Sequence, residues 1–388
     1  LYWLAKSRLS SGRTSADVSL TLRLGLAQLL FFQRLGDHAV VSETVALAKT
    51  VIPGRHGLVN AVLRGLLRDR EAGAAWPPVP SSSGDAAKDL AILYSHQTWQ
   101  VKKLLTSFDR DETEKILAAA NQPTPPTLRV NPIKIDREYL QKALPFETRP
   151  TVLSPWGLTS AGFTGRPENW PGFSEGHFAL QDEASQLAAL IAGHLPKGAS
   201  VLDACSGLGG KALALASVNP TARITARDKD EAKLKLLIRE AERLGCGNIK
   251  TERGDLLEGS EEKSFDLVVV DAPCSGLGVI RRRPDLKWNK REEDIPRLAE
   301  LQLKLLRAAA RSVRPGGRLL YGVCSFSQEE GPGVARDFLK NELDFETAPT
   351  DLWPATLRDQ LGQDGHLSLW PHIHGTDGFF WAYFLKKK

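Results

Sequence analysis

From Gln181 to the C-terminus the chain alternates short runs of apolar and β-branched residues with longer amphipathic stretches, and this alternation narrows the fold more than any other feature. The strand-like runs fall at 200–203, 223–227, 249–253, 265–271, 318–323 and 379–386. Helical patterns fit between them at 230–244, 296–313 and 334–343. Strands that alternate with helices predict a doubly wound, mostly parallel α/β sheet. In such a sheet, ligands bind in the crevice beyond the carboxyl ends of the strands.

Upstream the pattern is different. Leu22, Leu26, Leu29 and Leu30, then Val59, Val62, Leu63, Leu66 and Leu67, recur at helical spacing and predict a small bundle. The run from Trp76 through Pro77, Pro78 and Pro80 to Ser83 and Gly84 cannot hold a helix and reads as a linker. Residues 88–120 look helical, 127–131 look like a short strand, and 145–178 are rich in Gly, Pro and aromatic residues. The expected organisation is a helical domain at 1–72, a linker at 73–87, a connecting α+β subdomain at 88–178 and the sheet domain at 179–388.

Charge separates the same regions. Residues 1–70 hold ten Lys or Arg against four Asp or Glu, so they carry +6, while the other 318 hold 41 against 42 and carry −1. A basic domain beside a neutral one suggests a polyanionic partner. Arg64, with Arg68 and Arg70, stands off the apolar stripe of its helix and is a candidate contact. No run approaches the roughly 18 uncharged apolar residues of a membrane span. Residues 1–13 lack an apolar run with a cleavage site, so a cytoplasmic protein is expected. The four cysteines are too scattered for a zinc pattern or a disulfide framework, so the expectation is reduced thiols and no metal.

The first strand of the sheet runs into Cys205, Ser206, Gly207, Leu208, Gly209, Gly210 and Lys211 before a helix begins. Glycines at a strand-to-helix turn let a ligand approach the backbone, and the helix N-terminus offers unpaired N–H donors. Asp228 closes the second strand, where a carboxylate can accept from two ribose hydroxyls, and Asp255 ends the third. These residues predict a nucleoside cofactor, but they fit a nicotinamide dinucleotide as well as S-adenosylmethionine.

The fourth strand ends in Asp271, Ala272, Pro273 and Cys274, and the fifth delivers Cys324 to the same edge. Two thiols and a carboxylate thus converge on one predicted crevice. This set suits methylation at carbon 5 of a pyrimidine. Thiolate addition at carbon 6 makes carbon 5 nucleophilic, a carboxyl group beside N3 helps by holding a proton as charge develops, and a second thiol can assist release. Arg281, Arg282 and Lys287 follow the catalytic loop, where cations can hold the phosphates of an unstacked nucleotide.

These stretches resemble the Sun-type RNA cytosine-5 methyltransferases over nearly the whole chain. The resemblance is carried by Leu128, Arg129, Val130 and Asn131, by residues 181–187, by the glycine turn, by DAPCSGLGVIRRRPDLKW at 271–288, by YGVCS at 321–325, and by residues 377–382. Residues 22–30, 37–41 and 57–64 are similar to a NusB-type RNA-binding domain. The resemblance implies a Rossmann-like domain with a mostly parallel seven-stranded sheet, an all-α NusB-like bundle and an RNA-binding α+β connector to which Arg129 and Asn131 belong. It implies Cys324 as nucleophile, Cys274 in product release, and S-adenosylmethionine held by residues 205–211 with Asp228, Asp255 and Asp271. Small-subunit ribosomal RNA is the implied substrate, and a monomer is expected. The chain departs from the family at Gly207-Leu208, where Ala-Pro is usual, at Ala212 and Val323, where Thr is usual, and at Gly331, where Asn is usual.

Three rival readings have distinct consequences. A nicotinamide-dependent oxidoreductase gives Cys274 and Cys324 no role. A catalytically inactive ribosome-assembly factor binds RNA without transferring methyl groups. A DNA cytosine methyltransferase would make Cys274 the nucleophile.

Overall fold

A computed structural model describes residues 1–9, 15–76, 83–160, 162–163, 165–259 and 265–388. It divides into two compact units, Leu1–Val101 and Lys102–Lys388. Part of the expected linker, 77–82, lies outside the described residues.

The first unit is all helical, with helices Tyr2–Ser7, Ala16–Phe31, Asp37–Val51, His56–Glu71 and Ala86–Leu93. The apolar stripes read from the sequence make its core: Leu22, Leu26, Val59, Leu63 and Leu66 are all buried together. The second helix starts where the Ser15 hydroxyl accepts from the Val18 amide, capping an otherwise unpaired donor. No helix among the described residues is long and apolar enough to cross a membrane.

The second unit opens with helices and a small antiparallel sheet of β1 (Thr127–Val130), β2 (Arg149–Pro150), β3 (Gly157–Thr159) and β4 (Phe178–Leu180), in the order β2-β3-β1-β4. The aromatic-rich stretch supplies its core, with Phe163 stacked on Trp170 and Phe146 set edge-on to both. Buried polar groups tie this sheet to the larger one. Arg129 donates to the Gln181 side chain at 2.7 Å and to the Gly210 carbonyl at 2.9 Å. Asn131 donates to the carbonyls of Gly176 and Leu244 at 2.9 and 2.7 Å.

The large sheet contains β5 (Ser200–Asp203), β6 (Arg223–Asp228), β7 (Ile249–Arg253), β8 (Phe265–Asp271), β9 (Val313–Val323), β10 (Phe345–Thr347), β11 (Leu367–Leu369) and β12 (Phe379–Lys386). Seven strands run in the order β10-β12-β9-β8-β5-β6-β7, and β11 adds to β12 as an eighth. The strands from β9 to β7 are parallel, while β10, β11 and β9 all pair antiparallel with β12. Both faces are covered, so β8 is apolar almost throughout. Val201 and Val269 face one helical layer, and their neighbours Leu202, Val268 and Val270 face the other.

Two sequence expectations shift by a few residues. β9 starts at Val313, which pairs with Phe265 ahead of a register shift, and regular pairing resumes where Arg318 meets Leu267. The helix expected from 230 begins at Glu231, since the Asp230 carboxylate caps it by accepting from Ala232 and Lys233.

Candidate active site

Because β5, β6, β8 and β9 are parallel neighbours, their carboxyl ends deliver the glycine turn, Asp228, Asp271 and Cys324 to one edge. A cleft of about 660 Å³ follows that edge. On one side it is lined by Cys205, Gly207, Asp228 and Asp255, and on the other by Asp271, Cys274 and Cys324.

The glycine turn is shaped by its own backbone. Gly207 and Gly209 have φ of +53° and +85°, in the region that favours glycine. The Gly207 amide donates to Asp228 at 2.8 Å, and the Asp228 carboxylate also accepts from the Asp230 amide at 2.9 Å, so the end of β6 is fixed to the turn. Nothing lies within 4 Å of where a side chain would start at Gly207. An open backbone beside a strand-end carboxylate fits the ribose and adjoining atoms of a nucleoside cofactor. Leu208 and Gly210 face a separate groove of about 500 Å³ that Arg129 also lines. The Ser206 hydroxyl is buried, as is most of Cys205, whose thiol burial pushes up in pKa and so keeps protonated.

Lys211 joins the two sides. Its buried ammonium donates to Asp271 at 2.6 Å and lies over the rings of Phe379 and Trp381 at 5.2 and 5.7 Å. Burial alone would lower its pKa, but Asp271 and Asp203 hold it above the ordinary lysine value. Asp203 is wholly buried, and no hydrogen bond of normal geometry reaches either oxygen. Burial pushes it up to about 7, although Lys211 and the Ala212 amide favour its charged form.

The sulfurs of Cys274 and Cys324 are 3.2 Å apart and unbonded. The hydrogen bond to Cys324, and then burial, hold the Cys274 thiol well above its usual pKa. The loop after β8 is stitched to the end of β9: Ala272 donates to the Gly322 carbonyl and Gly278 to the Cys324 carbonyl, both at 3.0 Å. Cys246, by contrast, packs in the core.

The cations named from the sequence are arranged differently. Arg281 donates to Asp377 at 2.7 Å, and Arg282 bridges Asp182 and Asp377 at 2.6 and 2.9 Å. A phosphate would have to displace those carboxylates. Arg129 and Asn131 are buried struts, and burial lowers Arg129 to about 10. Lys287 hydrogen-bonds Asn121, and burial lowers it to about 8. Arg64 is exposed and donates to Asn60 at 2.9 Å. Arg283 and Lys290, which the sequence reading did not single out, line the cleft, and the Arg283 side chain is 65% exposed. The buried Glu330 was also missed. Its place five residues after a Cys-Ser pair is the only sequence signal for it.

The 16S rRNA methyltransferase RsmB/F family matches residues 192–385, the NusB family matches 3–68, and the ferredoxin-like domain of RsmF/B-like methyltransferases matches 96–159. The chain belongs to the RsmB/F family. A probable ribosomal RNA small subunit methyltransferase B from Bacillus subtilis is 35% identical, over 94% of this chain and 82% of its own length. Ribosomal RNA small subunit methyltransferase B from Escherichia coli is 33% identical, over all of this chain and 87% of its own length. Among solved structures, that of PH0851 superposes with a TM-score of 0.76 at 26% identity, covering 96% of this chain and 82% of that one. Membership removes the oxidoreductase reading that the glycine turn alone left open. As a family member the chain has a methyltransferase core.

Proposed function

We propose that this protein transfers a methyl group from S-adenosylmethionine to carbon 5 of a cytosine in small-subunit ribosomal RNA, with Cys324 as the nucleophile. The observation that carries the proposal is the pair of sulfurs 3.2 Å apart on a cleft that also holds Asp228, Asp255 and Asp271. Asp228 and Asp255, with the open backbone at Gly207, would hold the cofactor, whose sulfonium supplies an electrophilic methyl.

The chain's own groups do the rest. Cys324 adds through sulfur to carbon 6 of the ring, which makes carbon 5 nucleophilic. Lys211 orients Asp271, whose carboxyl group faces N3 and the exocyclic amine and holds a proton there as charge develops on the ring. The buried ammonium of Lys211 lies within electrostatic reach of Cys324, whereas the bond to Cys324 and burial oppose thiolate formation at Cys274. This asymmetry favours Cys324 as the attacking thiolate and argues against the assignment that a DNA cytosine methyltransferase would require. After transfer, carbon 5 loses its proton and the sulfur–carbon bond breaks, with Cys274 assisting release. The exposed Arg64 of the basic helical unit contributes to RNA affinity, and the Arg283 side chain at the cleft suits a backbone phosphate.

Tritiated S-adenosylmethionine with small-subunit RNA tests the proposal. Label should appear at carbon 5 of a cytosine, vanish in Cys324→Ala, and give way to a protein–RNA adduct stable to denaturant in Cys274→Ala. Unchanged labelling by Cys324→Ala would sink the mechanism. RNA binding without labelling of any kind would favour an inactive assembly factor.

A further inference from the structure

The two cysteines are each followed by a serine, and both serines bond to one buried carboxylate. Glu330 is fully buried. Its Oε1 accepts from the Ser275 amide at 2.7 Å and the Gln302 side chain at 3.0 Å. Its Oε2 accepts from the hydroxyls of Ser275 and Ser325 at 2.5 and 2.7 Å. Four donors on one carboxylate offset the desolvation of its charge, which would otherwise be costly.

The surroundings hold Glu330 from the other side. The Tyr321 hydroxyl donates to the Glu330 carbonyl at 2.5 Å, and the Gln302 amide also donates to the Pro273 carbonyl at 2.9 Å. Glu330 lies in a π-helical turn, Glu329–Gly333, that contains Pro332. Such turns are uncommon and recur at functional sites. Here the turn is pressed against β12, where a side chain begun at Gly331 would stand 2.9 Å from the Phe380 ring.

We infer that Glu330, whose carboxylate bonds to the residues after the cysteines rather than to the sulfurs, is a positioning residue that ties the Cys274 and Cys324 loops together and sets the reach of one sulfur to the other. The consequence for turnover rests on the methyl-transfer reading, whereas the geometry does not. A carboxylate is needed because all four partners donate. Glutamine would turn an NH2 group toward two donors and leave that side unpaired.

Two readouts test this on the full chain. The first is formation of a Cys274–Cys324 disulfide with diamide, which takes up the two thiol hydrogens, followed by mass spectrometry of unreduced peptides. Glu330→Gln should slow it by on the order of 10-fold, because the sulfurs no longer dwell in contact. The second is steady-state methylation, where kcat should fall on the order of 10- to 100-fold while KM for donor and RNA stays within about 2-fold. If circular dichroism shows that Glu330→Gln fails to fold, Ser325→Ala decides, since it removes one of the four donors; it should slow both reactions about 3-fold or more. Wild-type rates of disulfide formation in a folded variant would overturn the inference. Wild-type protein that transfers no methyl, yet still oxidises in a Glu330-dependent way, would refute the methyl-transfer reading and support the positioning role.

Discussion

On one side of the cleft, the lining groups are backbone at Gly207 and strand-end carboxylates at Asp228 and Asp255. On the other they are thiols at Cys274 and Cys324, backed by the buried carboxylate of Glu330. The first side draws its shape from φ angles and from hydrogen bonds donated by main-chain amides, so the exposed side chain at 208 is free to change. This accounts for Leu208, which stands where the resemblance leads one to expect Pro. The second side depends on side chains from three separate stretches meeting in one buried network, so it has less freedom. Substitutions should therefore damage the two sides in different ways, and Lys211 is where the difference is largest, because it serves both.

Lys211→Met keeps most of the volume of the stem but removes a buried charge that faces Asp271 and Asp203. Breaking such a pair by deleting one partner costs about 3–5 kcal/mol. Proton uptake by Asp203 holds the cost near the lower figure. Urea unfolding should show that loss, and methylation should fall below detection, since Asp271 loses its orientation and Cys324 its neighbouring cation. A variant as stable as the parent would mean that the two sides are not coupled through Lys211.

Asp203 gives the next largest effect, and its sign is set by protonation. The carboxyl is raised from an ordinary value of 3.8 to about 7 in the folded protein. Between those values the folded chain keeps a proton that the unfolded chain has released. Stability therefore falls as pH rises through that window and levels off above it, by up to about 4 kcal/mol. Asp203→Asn cannot ionise and should lose this slope. Unfolding midpoints for parent and variant at pH 5 and pH 8 check the point, and an identical pH response in both would remove Asp203 from the account.

Much of the sheet was legible in the sequence, because β8 and its neighbours are buried on both faces and read as nearly unbroken apolar runs. β10 and β11 were not, since each has three residues and pairs antiparallel at the margin of the sheet, where burial leaves little pattern. At the site, the strand-end residues could be read because parallel topology alone brings Asp228, Asp271 and Cys324 to one edge. Glu330 could not, because its burial depends on a π-turn and on donors as distant as Ser275 and Gln302. The environments of Arg281 and Arg282 were hidden for the same reason. A cluster of arginines looks like a solvated surface until Asp182 and Asp377, about a hundred residues away in each direction, are seen to bind it.

The smallest effects separate two glycines two residues apart within the cofactor side itself. At Gly209, φ is +85° and a methyl group would stand 2.3 Å from Leu237 Cγ, so the core must shift to admit it. Gly209→Ala should cost about 2–3 kcal/mol of stability. At Gly207, φ is +53°, close to the left-handed minimum, and the space beside it is open. Gly207→Ala should cost only about 1 kcal/mol, yet it sets a methyl where the cofactor approaches the backbone. Calorimetric titration with S-adenosylhomocysteine should then find Kd raised more by Gly207→Ala than by Gly209→Ala, while thermal unfolding ranks the two the other way. If both measurements rank them alike, the turn is a single rigid unit, and the division between a backbone-built side and a side-chain-built side no longer explains the freedom at 208.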